Sequence, residues 1–353
     1  MTKAEAKGGD VQIKAGLIWM NGAFVPQEEA KTSVLSHALH YGTSVFEGIR
    51  AYETPKGPAV FRLKEHVRRF YNSAKVLRME IPFAPEELEE AIKEVVRRNG
   101  YRSCYIRPLA WMGAKALGVN PLPNNPAEVM VAAWEWGAYL GEEAVRKGAR
   151  LITSSWARFP ANVMPGKAKV GGNYVNSALA KMEAVAAGAD EALLLDEEGY
   201  VAEGSGENLF FVRDGVIYAL EHSVNLEGIT RDSVIRIAKD LGYEVQVVRA
   251  TRDQLYMADE VFMTGTAAEV TPVSMIDWRP IGKGTAGPVA LMGNRRLRKS
   301  VESYQARIRE HQAKIEEELR RPEPRWELIR YWEKEIRTYP GRVERLLRRM
   351  GRR

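Results

Sequence analysis

Cysteine is almost absent from this chain of 353 residues, which contains only Cys104. A single cysteine cannot form an intrachain disulfide, and this favours a reducing compartment, the cytoplasm. The chain also has no apolar run as long as a membrane-spanning helix. Residues 1–10 are polar and contain glycine, without the apolar core of a signal peptide, so we predict a flexible leader there.

Basic residues are in slight deficit over most of the chain and in large excess near its end. Residues 1–294 contain 33 Lys and Arg against 36 Asp and Glu, whereas residues 295–353 contain 19 against 10. The overall net charge of +6 therefore comes from the C-terminal tail. The mildly acidic body gives no indication of nucleic-acid binding. Only the basic tail raises that possibility.

Two common site patterns are also missing. His37 and His40 lie in a stretch without a cluster of cysteines or carboxylates, so we expect local hydrogen bonds for them and no metal site. The segment 204–206 has two glycines but lacks the third glycine of a dinucleotide-binding loop. A metal centre and a dinucleotide fold are therefore not expected.

Strand and helix patterns alternate in both halves of the chain. Asn21-Gly22 between apolar runs predicts a hairpin over residues 11–25. Apolar residues at three- and four-residue spacing predict helices over 64–79 and 85–98. Further elements are predicted as helices over 173–187 and 231–241, the second opened by Thr230, and as strands over 105–109, 129–134, 149–155, 192–196, 208–212, 216–218, 245–250 and 260–263. This mixture indicates an α+β or mixed α/β fold.

The same pattern divides the chain into two domains and a tail. We predict a small α/β domain over 11–136, a glycine-bounded linker over 137–148 and a large domain over 149–291. The tail, 292–353, has apolar residues at helical spacing interrupted by proline, and we predict basic helices of unknown role.

The stretch 166–174, Gly-Lys-Ala-Lys-Val-Gly-Gly-Asn-Tyr, has the features of a covalent cofactor site. A desolvated lysine amine is a nucleophile toward an aldehyde, and the glycines would let backbone approach a bulky group. Tyr174 could then hydrogen-bond a phenolate-like oxygen of pyridoxal 5′-phosphate. A surface turn with solvated lysines is the alternative for this stretch alone.

Three other segments complete what such an enzyme needs. Glu203 lies among small residues and offers an anion for a pyridine nitrogen, although a turn glutamate is the simpler interpretation. Residues 228–231 open a helix that could bind a phosphate, or they form a plain helix cap. Residues 264–268 offer hydroxyls and amides, or they cap the end of a strand.

Taken together, these segments resemble the branched-chain amino-acid aminotransferases of pyridoxal-phosphate fold type IV, which have the D-amino-acid aminotransferase-like fold. The resemblance covers about residues 11–291. The matching segments, in the family's order, are 36–52, 105–109, 118–120, 136–141, 169–174, 203–210, 228–231 and 264–273. The tail departs from the family.

The resemblance implies a role for each matched position around the cofactor. Lys169, and not Lys167, matches the Schiff-base lysine, because it directly precedes Val170 and the glycine pair. Tyr174 matches the partner of the cofactor's ring oxygen, and Glu203 matches the carboxylate on the pyridine nitrogen. The remaining cofactor contacts are Leu226 against the ring and, at the phosphate, Arg69, Ile229, Thr230 and Thr266.

The resemblance also implies the substrate contacts. Thr266 and Ala267 match the amides that receive the α-carboxylate, and Arg107 matches the group that binds the second carboxylate of glutamate. The side-chain pocket would contain Phe46, Gly48, Tyr41, Tyr105, Val119, Trp136 and Tyr139. Tyr41 and Val119 would reach the pocket of a neighbouring subunit, so a homodimer is the smallest competent unit, with room for a larger homo-oligomer.

The implied reaction is transamination of L-leucine, L-isoleucine or L-valine with 2-oxoglutarate. Two alternatives share the fold, D-amino-acid aminotransferase and aminodeoxychorismate lyase, but segments 46–50 and 105–108 favour the branched-chain family. An alternative of another class is a protein whose enzyme fold has lost its activity and whose basic tail binds a polyanion or a partner.

We expect the tail to be an appended element without a role in catalysis. Deleting residues 295–353 should then leave leucine transamination, cofactor content and oligomer size unchanged, as checked by activity, absorbance and light scattering.

The tryptophans of the tail lie at helical spacing, as in the core of a small helical hairpin, so we expect no specific nucleic-acid binding. A sequence-dependent gel shift at physiological salt would contradict this expectation.

Overall fold

The computed structural model describes residues 13–137, 139–221, 225–291, 314, 317–321 and 325–328. Two β-sheets dominate this part of the chain, one formed before residue 137 and the other after residue 148. Helices pack against both sheets. The mixture of helices and sheets agrees with the fold class predicted from the sequence.

The first sheet is mostly antiparallel. Its strands are β1 (Leu17–Met20), β2 (Ala23–Pro26), β3 (Ser44–Phe46), β4 (Ile49–Tyr52), β5 (Ala59–Val60), β6 (Cys104–Trp111) and β7 (Glu128–Trp134). They lie in the order β2-β1-β7-β6-β4-β5, with β3 also paired to β6. The predicted hairpin is confirmed as β1–β2, and its turn uses positive φ angles at Asn21 (48°) and Gly22 (93°).

Three helices accompany this sheet: α1 (His37–Tyr41), α2 (Leu63–Val76) and α3 (Pro85–Arg98). The predicted bounds of α3 are confirmed, and the Ala84 amide donates to Glu87 in its first turn (2.6 Å). The helix predicted over 64–79 ends earlier, at Val76, because Arg78 adopts a left-handed conformation with φ of 51°.

The second sheet begins after helix α4 (Gly141–Lys147). Its strands and helices, in chain order, are β8 (Ala149–Thr153), α5 (Tyr174–Ala186), β9 (Glu191–Leu195), β10 (Val201–Gly204), β11 (Asn208–Arg213), β12 (Val216–Leu220), α6 (Ile229–Asp240), β13 (Val245–Val248), α7 (Arg252–Tyr256), β14 (Glu260–Gly265), β15 (Glu269–Ile276) and β16 (Arg279–Pro280). The strand order is β10-β9-β8-β15-β14-β11-β12-β13, with β16 paired to β15.

The segment 137–148, predicted to be a linker, contains helix α4. One prediction about a later helix was wrong. Helix α6 is opened by Gly228 and not by Thr230, which is its second residue. A Cβ at position 228 would collide with the Asn208 side chain, so a glycine is needed where the helix begins.

Each sheet has its own apolar core. In the first, Phe70 of α2 and Ile92 of α3 are fully buried against sheet residues such as Ile106. In the second, the rings of Phe210 and Phe262 on neighbouring strands stack with centroids 5.0 Å apart. Separate cores support a two-domain organisation, although the limits 11–136, 137–148 and 149–291 stay a prediction.

Most of the predicted tail, 292–353, lies outside the described residues, as does the predicted leader, 1–10. In the part of the tail that is described, Glu318 is buried and pairs with Arg321 and Arg325. Among the described residues, no helix is both long and apolar enough to cross a membrane.

Candidate active site

The predicted site residues come together in a cavity of about 460 Å³. All of them line this cavity except Tyr41 and Val119. The predicted residues that do line it are Phe46, Gly48, Arg69, Tyr105, Arg107, Trp136, Tyr139, Lys169, Tyr174, Glu203, Leu226, Ile229, Thr230, Thr266 and Ala267. Both sheets therefore contribute to one site.

Backbone contacts with the first sheet hold Lys169 in this cavity. The Phe46 amide at the end of β3 donates to the Lys169 carbonyl (3.1 Å), and the Lys169 amide donates to the Ser73 hydroxyl on α2 (2.9 Å). The next residue, Val170, forms a β-bridge with Val45. A Cβ at Gly171 would collide with the Ser44 hydroxyl, which explains why a glycine follows this bridge.

The Lys169 amine donates to the Tyr174 hydroxyl at 2.5 Å. It also lies 4.7 Å from the centroid of the Phe46 ring. Tyr174 begins α5, directly after a 3₁₀ turn over Gly171–Asn173, and that turn returns the tyrosine toward the lysine. The spacing of five residues between the two side chains therefore produces a direct contact.

Two observations on the neighbouring Lys167 point in opposite directions. Burial lowers its pKa, which by itself would make it the better nucleophile. However, Lys167 is not among the residues that line the cavity, whereas Lys169 is. Geometry is the stronger criterion, because a nucleophile must reach its target before its pKa matters.

Glu203 on β10 forms an ion pair with Arg158 (2.8 Å), and both side chains are buried. Burial raises the pKa of Glu203, while the adjacent Arg158 opposes that rise. Arg158 also donates to Asn176 on α5 (2.8 Å). Sequence reasoning missed Arg158, which lies outside any periodic element and carries no motif.

Arg69 is held in place by Glu47, which sequence reasoning also missed. Two guanidinium nitrogens donate to the Glu47 carboxylate (2.6 and 2.9 Å), and a third donates to the Glu227 carbonyl (2.8 Å). Burial would raise the pKa of Glu47, but Arg69 and His66 together lower it well below its usual range. One signal was available, since Glu47 is the one charged residue between positions 41 and 49 of the sequence.

An aromatic wall forms another side of the cavity. The Trp136 ring lies 4.7 Å from Tyr105 and 5.6 Å from Tyr139, centroid to centroid. Arg107 stacks over the Phe46 ring at 4.5 Å and donates to the Tyr105 hydroxyl (2.8 Å). This part of the cavity is therefore apolar with one cation at its wall.

Tyr41 and Val119 are both exposed in the single chain, by 47% and 83%. The buried His37 connects the two segments that carry them, through a 2.7 Å contact between Nε2 and the Gly118 carbonyl and a ring contact with Tyr41 (4.5 Å). His40 contacts the Val34 carbonyl (3.0 Å). The expected local hydrogen bonds are confirmed by this contact and by that of His37 Nδ1 with the Thr43 hydroxyl (2.7 Å), whereas the contact with Gly118 joins distant segments. The described residues contain no cluster suited to a metal ion.

Several buried polar atoms of the cavity have no hydrogen-bond partner among the residues that the structure describes. They are Arg107 Nε, Trp136 Nε1, Arg158 Nε and Thr264 Oγ1, and all four residues line the cavity. Unpaired buried polar atoms are costly, so their presence together indicates a site built for a polar ligand.

The amino-transferase class IV family model matches residues 44–276. The chain belongs to this family. Among curated class IV relatives, the branched-chain-amino-acid aminotransferases of Pseudomonas aeruginosa and Escherichia coli (strain K12) are 49% and 50% identical to it. The alignments cover 78% of this chain in both cases, and 89% and 90% of those proteins.

The solved structures give the same result. A branched-chain amino acid aminotransferase of T.th. with pyridoxamine 5′-phosphate is 98% identical, with a TM-score of 0.78, over 80% of this chain and 92% of that one. The T.th. enzyme has also been solved with 4-methylvaleric acid and with N-(5′-phosphopyridoxyl)-L-glutamate. These structures are 95% and 96% identical to this chain, each with a TM-score of 0.77 and the same coverage. These matches confirm the predicted family and fold.

For a class IV aminotransferase with this geometry, Lys169→Ala should abolish aminotransferase activity, whereas Lys167→Ala should keep most of it. Of the two lysines, Lys169 alone lines the cavity, where its amine contacts Tyr174. Amino transfer should be assayed for both variants after circular dichroism confirms that they are folded. Equal loss in the two variants would contradict the assignment of Lys169.

Proposed function

We propose that this protein transfers the amino group of L-leucine, L-isoleucine or L-valine to 2-oxoglutarate with pyridoxal 5′-phosphate as cofactor. The products are a branched-chain 2-oxo acid and L-glutamate. The observation that carries this proposal is a single cavity that joins the Lys169–Tyr174 pair, the Glu203–Arg158 pair and an aromatic wall containing Arg107. The ligands named for the T.th. enzyme, 4-methylvaleric acid and a glutamate adduct, support both substrate classes.

The residues of the cavity fit this cofactor. The N-terminus of α6, at Ile229 and Thr230, offers amide groups and a favourable dipole to a phosphate, and Arg69 adds a cation beside it. The unpaired polar atoms described above provide further donors. When bound, the cofactor supplies an aldehyde that condenses with amines and a conjugated ring that accepts the electron pair left at the substrate's α-carbon.

Lys169 is the proton carrier of this scheme. Its amine, Nζ, would accept the α-proton of the bound amino acid and release it again later in the transfer. The Tyr174 hydroxyl, 2.5 Å away, fixes the direction of that amine. Two hydrogen bonds restrict movement of the segment that carries it: the Phe46 amide donates to the Lys169 carbonyl, and the Lys169 amide donates to the Ser73 hydroxyl.

Glu203 supplies the anion for the pyridine nitrogen. Its carboxylate must remain ionised in a buried place, and the Arg158 guanidinium at 2.8 Å favours that form. An ionised carboxylate holds a proton on the ring nitrogen as a charge-assisted hydrogen bond. The pair therefore increases the capacity of the ring to accept electrons.

The substrate end of the cavity has to accept two unlike side chains. Thr266 and Ala267 would receive the α-carboxylate, while Tyr105, Trp136 and Tyr139 provide apolar surface for a leucine-like side chain. Arg107, within the same wall, would pair with the second carboxylate of glutamate.

The purified protein should form L-glutamate from 2-oxoglutarate with L-leucine, L-isoleucine or L-valine, because the pocket offers an apolar wall to the donor side chain and one cation to the second carboxylate of 2-oxoglutarate. D-alanine is the comparison donor, and it should give no transfer because the similar proteins are branched-chain-amino-acid aminotransferases. Glutamate formation and bleaching of the visible absorbance of the holoprotein by each donor are the measurements. The Lys169→Ala variant serves as the control. A preference for D-alanine would favour the D-amino-acid enzyme, and absence of transfer from every donor would reject an aminotransferase function.

We also propose that the active unit is a homodimer. The exposed apolar residues Val34, Leu35 and Leu39 lie next to Tyr41, and an exposed apolar patch of this kind is typical of a protein interface. Tyr41 and Val119, which do not line the cavity of their own chain, would complete that of the partner.

Light scattering of the full chain should therefore give at least twice its 39.7 kDa mass. Val119→Lys should lower the dimer fraction and the activity together, because it adds a charge to a side chain that is 83% exposed in the single chain. Met182→Lys, also at an exposed apolar position but on α5, tests whether any such charge has this effect. A fully active monomer would contradict the proposal.

A cytoplasmic location is proposed on the basis of Cys104. It is the one cysteine of the sequence, and its thiol is buried, so the fold is stabilised without an intrachain disulfide, as is usual for proteins of a reducing compartment. Recovery of the native protein in the periplasmic or secreted fraction of its host would contradict this location.

A further inference from the structure

Strand β4 directs its side chains alternately to two sides. Ile49 and Ala51 are buried in the core of the first sheet, so Arg50 and Tyr52 point to the opposite face. This face meets the turn between β14 and β15 in the second sheet. Arg50 is itself buried, with 8% of its surface exposed.

The Arg50 guanidinium donates to four main-chain carbonyls in two separate segments. Two belong to the turn, Thr266 (2.9 Å) and Ala267 (2.9 Å). The other two, Trp136 (3.1 Å) and Gly137 (3.1 Å), belong to the segment that carries part of the aromatic wall. Because carbonyls have no net charge, these four acceptors do not neutralise the guanidinium.

The turn over Thr266–Ala268 is held at both ends by β4. Glu269 closes it with a positive φ of 54°, and the Tyr52 hydroxyl donates to the Glu269 carboxylate (2.6 Å). Thr266 and Ala267 line the cavity, whereas Arg50 lies behind them and is not among the lining residues. Arg50 therefore acts on the cavity through the turn.

Peptide geometry determines what this contact does. In a trans peptide the carbonyl and the amide of the same unit point in opposite directions. Arg50 binds the carbonyls of Thr266 and Ala267, and the amides that share those peptide units belong to Ala267 and Ala268. Holding the carbonyls toward Arg50 turns these two amides the opposite way, and of the two residues Ala267 is the one that lines the cavity.

We infer that Arg50 is a positioning residue that sets the affinity of the site for the substrate carboxylate. It keeps the carbonyl oxygens of Thr266 and Ala267 away from the anion and the Ala267 amide available to it. It also ties this turn to the aromatic wall through the carbonyls of Trp136 and Gly137. The inference rests on the proposed function, in which Thr266 and Ala267 receive the α-carboxylate.

The test compares two ligands of nearly identical shape, 4-methylvaleric acid and its neutral amide, 4-methylvaleramide. Their dissociation constants should be measured by titration calorimetry with the cofactor-loaded protein and its Arg50→Met and Arg50→Lys variants. The matched control is Arg102→Met, because the Arg102 side chain is 78% exposed and pairs with Glu53 at the surface, away from the cavity.

In Arg50→Met the affinity for the acid should fall at least about tenfold, because hydrogen bonds from a charged donor are lost behind the turn. The affinity of Arg50→Met for the amide should change little. Arg50→Lys keeps the charge but cannot reach all four carbonyls, so its affinity for the acid should lie between those of the unaltered protein and Arg50→Met. Arg102→Met should bind both ligands as the unaltered protein does.

Unchanged acid affinity in the Arg50 variants would overturn the inference, as would equal loss of acid and amide, which would indicate a merely structural role. If Arg50→Met does not fold, the test rests on Arg50→Lys, for which the ratio of acid affinity to amide affinity is compared with that of the unaltered protein. Failure of the unaltered protein to bind the acid would instead reject the proposed function.

Discussion

The short backbone pairing between β3 and the segment of Lys169 is the constraint on which the site depends. Val45 bridges Val170, and the Phe46 amide binds the Lys169 carbonyl, so a segment that follows the first strand of the second sheet is tied to the first sheet. This contact brings the reactive amine between the two sheets. The glycines that follow permit it, since a side chain at position 171 would collide with Ser44.

Three buried carboxylates in and near the cavity are each paired with a cation. Glu47 binds Arg69, Glu203 binds Arg158, and Glu191 on β9 binds Lys181 on α5 (2.6 Å). A buried charge without a partner is strongly destabilising, so each anion that the site needs requires a cation nearby. Glu207 differs, because burial and the nearby Glu191 raise the pKa of this cavity carboxyl and so disfavour its charged form.

Local patterns predicted a large share of the fold. The bounds of α3 were predicted correctly because proline opens it and its buried residues recur at helical spacing. Strand β10 was missed because its four residues, Val201–Gly204, resemble a glycine-rich turn, although all four are buried in the sheet. The helix within 137–148 was missed because the flanking glycines resemble those of a linker.

The sequence by itself determined the local elements and the chemical type of the site: a hairpin at Asn21-Gly22, amphipathic helices, and a lysine followed by paired glycines and a tyrosine. Only the tertiary structure decided that Arg158 compensates Glu203, that Glu47 orients Arg69, and that Arg50 holds a turn 216 positions away. The physical reason is that periodicity and turn chemistry act between near neighbours in the chain. A hydrogen bond between distant segments depends on how the sheets pack, and it leaves no spacing in the sequence by which it can be recognised.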